Sequence, residues 1–314
     1  MPAPRDQDLL VKAARLYYEE DRSQADVARI LGLSRSNVSR MLTSARERGI
    51  VEVRINDPSG RDLALERRLE EHYGLRGARV ADSAGPERGL TRAGDLGARW
   101  LVEQLTPGQR IGLSWGTTLQ ALVAQVPDDA GVADVEVVPL VGGLSSVDSA
   151  ITGEELVRDL AARLGARMQR LHAPAVLTSA AGRDLLLDEP GIRDSLQAAR
   201  GTDVALVGIG STGRGSSAEI VEIPVLTAAE RAAFEDAFPV GDMCARFFDA
   251  AGEPVAGPVD DRVIAVTLAD LAAVPTVVGI AAGREKLPGV AGALRTGVLD
   301  VLVCDRALAL ALLP

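Results

Sequence analysis

Apolar positions recur at helical spacing near the start of the chain. Leu9, Leu10, Ala13, Leu16 and Tyr17 predict a helix over Asp6–Glu20. Ser23 then stands as an N-cap with Asp26 three positions on, close to a capping box. It opens a short helix whose apolar side is Val27, Ala28, Ile30 and Leu31, and Gly32 ends that helix in a left-handed turn. Ser34 caps a third helix, with Val38, Met41 and Leu42 facing inward. Ile50–Ile55 alternates and predicts a strand, the wing of this unit, and Asn56-Asp57-Pro58-Ser59-Gly60 breaks it as a linker. The pattern places one domain over 1–56 and a second over 57–314.

The second stretch opens with an amphipathic helix, Arg61–Tyr73, with Leu63, Leu65, Leu69 and Tyr73 apolar. This face suits core packing or a contact between subunits. From Ala78 onward, strand-like and helical runs alternate. The strands are Arg110–Ser114, Val135–Leu140, Val204–Ile209, Met243–Phe248, Val277–Ile280 and Val301–Cys304. Between them lie helices such as Arg92–Gln104, Thr117–Gln125, Gly153–Leu164 and Arg284–Thr296. That alternation predicts an α/β fold with a doubly wound, mostly parallel sheet and helices on both faces.

The three N-terminal helices match the helix-turn-helix pattern. Ala28 is small where two helices cross, Gly32 permits the tight turn, and Val27, Val38 and Met41 fill the shared core. Ser23, Gln24, Ser34, Arg35, Ser36, Asn37, Ser39 and Arg40 form a polar outer set suited to phosphates and base edges in a major groove of operator DNA. One such unit reads only a short half-site, so a homo-oligomer, dimer or tetramer, is expected.

Ligands in doubly wound sheets bind beyond the carboxyl ends of the strands. Glycine-rich turns follow several strands here: Gly112–Thr118, Gly142-Gly143, Gly208–Ser217 and Ala281–Lys286. Each can be plain turn geometry. Together they point to a phosphate or polyol site, since glycines admit close backbone approach and helix starts offer donors to an anion. Asp242, before the Met243–Phe248 run, is a carboxylate suited to sugar hydroxyls, or simply a turn aspartate.

Composition alters this picture in a few places. Of 314 residues, 47% are hydrophobic and 25% charged, as in a folded soluble protein. The net charge of −10 alone argues against nucleic acid. Its distribution does not: Arg35, Arg40, Arg46 and Arg48 face only Glu47 between Ser34 and Arg48. Lys12 and Lys286 are the only lysines, so a lysine just after Gly283 at a helix start stands out as a phosphate partner. Met1–Asp6 has no apolar segment of a secretory signal, and Leu268–Ala282 is broken by Asp270 and Pro275, which implies a cytoplasmic protein with no membrane contact. Cys244 and Cys304 sit in apolar strand-like runs and read as core residues, and no metal site or cofactor is expected.

In combination and order, the helix-turn-helix, Ser114–Thr118, Gly142-Gly143-Leu144, Gly208-Ile209-Gly210, Gly241–Asp249 and Gly283–Lys286 resemble the SorC family of transcriptional regulators, DeoR-like proteins with a sugar-binding domain. The resemblance implies an effector domain related to phosphosugar isomerases, a tetramer and a phosphorylated sugar ligand. By it, Gly116, Thr117, Thr118 and Lys286 hold the phosphate, Gly142, Gly210, Ser211 and Asp242 line the sugar, and Trp115 belongs to the same effector site. Val141 stands where members that bind a second phosphate place a basic residue, and Ala282 where a glycine is common, so a monophosphate is expected.

The rival reading is a sugar-phosphate isomerase-like enzyme carrying a DNA-binding module. That chemistry needs an acid/base pair. The chain has only His72 and His172, with no Ser/His/Asp arrangement and no P-loop, so no catalytic residue is assigned.

Overall fold

A computed structural model describes residues 4–51, 60–82, 86–128, 130, 132–144, 152–224 and 226–314. The chain divides into two compact units, Met1–Asp57 and Pro58–Pro314.

The first unit holds α1 (Pro4–Tyr18), α2 (Gln24–Leu31) and α3 (Arg35–Glu47). Ser23 and Ser34 cap α2 and α3, and Gly32 closes α2 at φ 67°. Ala13, Leu16, Val27, Ala28, Val38 and Leu42 make its small core, with Met41 and Leu31 half-buried against it. Ile30 departs from expectation. It is 52% exposed, because the inward face of so short a helix is already filled by Val27 and Ala28. The wing strand and linker expected over 50–60 fall mostly on residues 52–59, outside the described residues.

The second unit opens with α4 (Leu63–Tyr73), β1 (Gly77–Ala81), α5 (Pro86–Gln104), β2 (Arg110–Leu113) and α6 (Thr117–Gln125). It continues through β3 (Glu136–Pro139), α7 (Gly153–Leu164), β4 (Arg167–Met168), α8 (Ala180–Asp188), α9 (Pro190–Arg200) and β5 (Val204–Gly208). Then come α10 (Gly215–Glu222), α11 (Ala228–Asp236), β6 (Gly241–Met243), β7 (Arg246–Phe248) and α12 (Leu268–Ala272). β8 (Thr276–Ala281), α13 (Leu287–Arg295), β9 (Val301–Asp305) and α14 (Arg306–Leu312) end the chain.

Seven strands form one parallel sheet in the order β1-β9-β8-β5-β2-β3-β4. Strand alternation divides its side chains between two cores. Ala205 and Val207 of β5 join one core, while Val204 and Leu206 join the other. Both faces are covered, which is why these strands read as continuous apolar runs. After β2 the chain builds outward through β3 and β4, then returns to the other flank of β2 with β5 and builds the opposite way. The sheet therefore has its topological switch point at β2 and β5, where a crevice opens beyond their carboxyl ends.

Two elements differ from the sequence reading. Met243–Phe248 is not one strand but part of an antiparallel hairpin, β6–β7. Cys244 and Ala245 form its turn at φ 52° and 62°, positions usually given to Asn or Gly. Because both residues are buried, their apolar character reads as strand interior. Cys244 is thus a turn residue, while Cys304 lies in β9 as expected. The helix expected over 284–296 begins instead as a 3-10 turn, Arg284–Lys286, because Pro288 restarts it as α13.

α4 also inverts part of its expected face. Leu63 is 43% exposed while Glu66 is buried, accepting hydrogen bonds from Arg61 Nε and the Val80 amide, both at 2.9 Å.

Candidate functional site

At the switch point the second unit holds a cavity of about 710 Å³. Ser114–Thr118, Gly208–Ser211, Arg214–Ser217, Asp242, Cys244 and Glu285-Lys286 contribute to its wall. Eight of the expected effector residues meet there: Trp115, Gly116, Thr117, Thr118, Gly210, Ser211, Asp242 and Lys286. Gly142 is not in the wall. A Cβ on it would lie 2.6 Å from the Pro174 backbone, so this position is a close packing of two chain segments. Its carbonyl accepts the Trp115 indole N–H at 3.0 Å, which holds the indole beside Gly153.

The β2–α6 junction brings a bare helix end into the cavity. Gly116 is the N-cap of α6 at φ 122° and makes no side-chain cap. The first backbone N–H groups of α6 are therefore available to a ligand. Ser114 ties this junction to its neighbour, its Oγ accepting the Gly208 amide at 3.1 Å.

Lys286 reaches the same cavity from the 3-10 turn after β8, and its Nζ donates to the Ile209 carbonyl at 3.0 Å. Burial pulls its pKa down, and Asp242 and then Glu285 oppose that. Asp242 is 5% exposed at the start of the hairpin. Its Oδ1 accepts the Ser217 hydroxyl at 2.5 Å and its Oδ2 the Ala245 amide at 3.2 Å. Burial pushes this carboxyl above its ordinary value, against those donors and Lys286. Gly210 is required beneath it, since a Cβ there would stand 2.0 Å from Asp242 Oδ1. Burial also pushes the Cys244 thiol up, so it stays neutral.

Sequence reasoning missed Ser114, Arg214, Ser217 and Cys244 in the wall. Arg214 and Ser217 lay within the quoted glycine loop, but nothing in the sequence marked which loop residues face inward. His172, the one histidine with a claim to a pocket, is exposed and borders a separate depression of about 180 Å³. Among the described residues, no cluster of His, Cys, Asp and Glu could hold a metal ion, and no helix is long and apolar enough to cross a membrane.

In the first unit, Ser23 accepts the Asp26 amide and Ser34 the Asn37 amide, each at 3.2 Å, so both hydroxyls serve as caps. Gln24 is half-buried at the start of α2. Arg35, Ser36, Asn37, Ser39 and Arg40 are all exposed on α3. Arg40 Nη2 donates to Asn37 Oδ1 at 2.7 Å, which orients the guanidinium along the helix surface.

Comparison with known proteins agrees with this architecture. Residues 57–314 match the Sugar-bind family, described as a "putative sugar-binding domain", and residues 14–62 match the MarR family. The chain is 35% identical to the sorbitol operon regulator of Klebsiella pneumoniae over 301 residues, 95% of each chain. It is 34% identical to the deoxyribonucleoside regulator of Bacillus subtilis over 310 residues, 98% of this chain and 97% of that one. The crystal structure of the full-length Klebsiella pneumoniae regulator SorC superposes with a TM-score of 0.75 at 34% identity, covering 99% of this chain and 100% of that one. These relatives are named as regulators, which sets aside the enzyme reading. A helix-turn-helix unit followed by a sugar-binding domain across most of the chain makes this protein a member of the SorC family of transcriptional regulators.

Proposed function

We propose that the effector of this regulator is a phosphorylated sugar, and that its binding changes affinity for operator DNA. The observation that carries this reading is the meeting of an uncapped helix start with a half-buried lysine in one cavity. The amides of Thr117 and Thr118 and the ammonium of Lys286 are a donor set for a phosphate dianion. Asp242 keeps lone pairs free beyond its two present donors, and these suit sugar hydroxyls. Trp115 supplies a flat half-buried wall, and Gly210 and Ser211 lie beside it. Gly142 acts only through Trp115.

Under this reading the division falls near residues 56 and 57, with DNA contacts from Arg35, Ser36, Asn37, Ser39 and Arg40. Ser23 and Ser34 hold the helix starts that present them, with Gln24 at the rim. The regulator acts in the cytoplasm as a homo-oligomer, since symmetric half-sites need two or more copies.

The test is a titration of a panel of sugar phosphates and the matched free sugars against wild type and Lys286→Ala, with operator affinity measured in parallel. The variant loses phosphosugar binding by about ten- to a hundredfold and keeps its operator affinity without ligand. Free sugar binding as tightly as its phosphate, or unchanged binding by the variant, defeats the reading. Linkage adds a check: ligand changes DNA affinity by the same factor that DNA changes ligand affinity.

A further inference from the structure

β1 is an edge strand of the parallel sheet, and the first described residues of the second unit lie along its free edge. Gly60–Asp62 forms a short antiparallel stub there, with Arg61 opposite Ala81. The Asp62 amide donates to the Val80 carbonyl and the Asp82 amide to the Gly60 carbonyl, both at 2.9 Å. Two further amides of β1, on Ala78 and Val80, are met by the carboxylates of Glu70 and Glu66 from α4, at 2.8 and 2.9 Å. Lifting the stub therefore frees few backbone groups, because β1 keeps its α4 partners and the exposed Asp82 turns to water.

Charge pins the stub. Arg306 Nε lies 3.4 Å from Asp62 Oδ2 and 3.5 Å from Asp82 Oδ1, one carboxylate on the stub and one just past β1. The other Asp62 oxygen accepts the Leu65 amide at 3.1 Å as the N-cap of α4. Arg306 is the first residue of α14, the positive end of a helix, where a cation is unfavourable unless carboxylates offset it. Such partly exposed pairs are weak singly, which suits a contact that opens and closes.

The residue before Arg306 connects this pin to the cavity. Asp305 is 2% exposed, and its Oδ1 accepts the Gly283 amide at 3.0 Å as well as the Leu308 amide at 3.4 Å. Gly283 is the N-cap of the 3-10 turn that carries Lys286, and α14 packs against that turn. α5 closes over the same carboxylate, since a Cβ on Gly89 would stand 2.9 Å from its Oδ2. A carboxylate so enclosed passes a shift onward instead of absorbing it, because packed interiors have little room to yield. Lys286 Nζ donates to the Ile209 carbonyl, and an anion in the cavity competes for that ammonium and so acts on the turn. We propose that Asp305 and Arg306 relay effector occupancy from the Lys286 turn to the docking of Gly60–Asp62 on β1, so that the ligand is felt where the chain enters from the DNA-binding unit. This rests on the phosphate reading of Lys286 and adds the route by which that site acts outward.

The experiment uses the full chain and inorganic phosphate as the probe, at constant ionic strength with chloride as the control, because salt alone screens the Arg306 pairs. The phosphate-dependent rise in Tm reports binding, and hydrogen–deuterium exchange of the Asp62 and Asp82 amides reports the stub. In wild type, phosphate raises Tm and changes exchange at both amides by about fivefold or more, the low end of usual couplings. The sign of that change says whether the ligand frees or fastens the stub. In Arg306→Ala the Tm rise persists, while stub exchange is fast without phosphate and no longer responds to it. Arg306→Lys restores part of the response. Asp82→Asn removes one exposed partner and weakens the response without abolishing it, which keeps the test decisive if Arg306→Ala folds poorly. Lys286→Ala loses the exchange response together with the Tm rise. A Tm rise in wild type with unchanged stub exchange overturns the relay and leaves the phosphate site standing. A full exchange response in Arg306→Ala or Lys286→Ala also overturns the relay, since phosphate then acts elsewhere. Neither a Tm rise nor an exchange change in wild type overturns both.

Discussion

The two polar surfaces of this protein are built in opposite ways. In the first unit, the groups that face outward come from one continuous stretch, Ser23 to Arg40, and local rules place them. A cap, a left-handed glycine and helical period suffice. In the second unit, the cavity wall gathers residues from Ser114 to Lys286, contributed by the ends of β2, β5 and β8 and by a hairpin. No local rule brings these together. Only the strand order does, by putting β2 and β5 side by side where the sheet changes direction. Residues of the first surface are thus separable from its fold, whereas residues of the second are part of theirs.

The largest effect that probes this contrast is Gly210→Ala. The added Cβ would stand 2.0 Å from Asp242 Oδ1 and 2.1 Å from Ser217 Oγ, both buried and bonded to each other. Relief requires moving the hairpin or α10, so stability falls by about 1–3 kcal/mol or more and the effector response is lost. Urea unfolding with and without ligand measures both. A wild-type midpoint with an intact response would mean that the cavity wall yields more easily than its packing implies.

Arg40→Ala makes the converse case. Its side chain is exposed and bonded only to Asn37 and the Ser36 carbonyl on its own helix. Operator binding weakens by about 1–3 kcal/mol with relaxed preference at one base pair, and Tm does not change. Fluorescence anisotropy on operator variants follows the binding. A fall in Tm matching the loss of affinity would show that this surface, too, is tied to its fold.

The smallest effect concerns acid stability. Glu230 closes a capping box with Thr227 and pairs with Arg262 at 2.8 Å, and that guanidinium, first among the causes, lowers its pKa from 4.5 to about 2. A depressed carboxylate pKa adds stability that is present above the unfolded value and is lost as pH falls through the folded one. The window is therefore pH 4.5 down to about 2. Glu230→Gln, which can keep the cap but not the charge, shows a shallower loss of stability across it. An acid limb as steep as that of wild type would remove Glu230 from the account.

Much of this was legible beforehand for identifiable reasons. α6 and α7 occupy the expected residues Thr117–Gln125 and Gly153–Leu164, α7 because of its clear amphipathic period and both because a small or hydroxyl residue marks the start. β4 has two residues, too few to show a period, and was not foreseen. The β6–β7 hairpin was hidden because its turn residues are apolar and buried, an arrangement that hairpin chemistry normally avoids. Gly142 drew attention as a glycine beside a strand end, but a glycine needed for close packing looks the same in sequence as one needed for a ligand.

Period, capping residues and turn glycines determined by themselves that this chain makes a three-helix N-terminal unit and an alternating α/β unit, since those signals act over a few residues. The partners of each glycine loop were decided only by tertiary structure. Lys286 meets Thr117 and Asp242 because a parallel sheet aligns the carboxyl ends of β2, β5 and β8 on one edge. The hairpin and α10 border the same space because one buried carboxylate joins them, Asp242 accepting both the Ala245 amide of its own turn and the hydroxyl of Ser217, far away in the chain and adjacent in the fold.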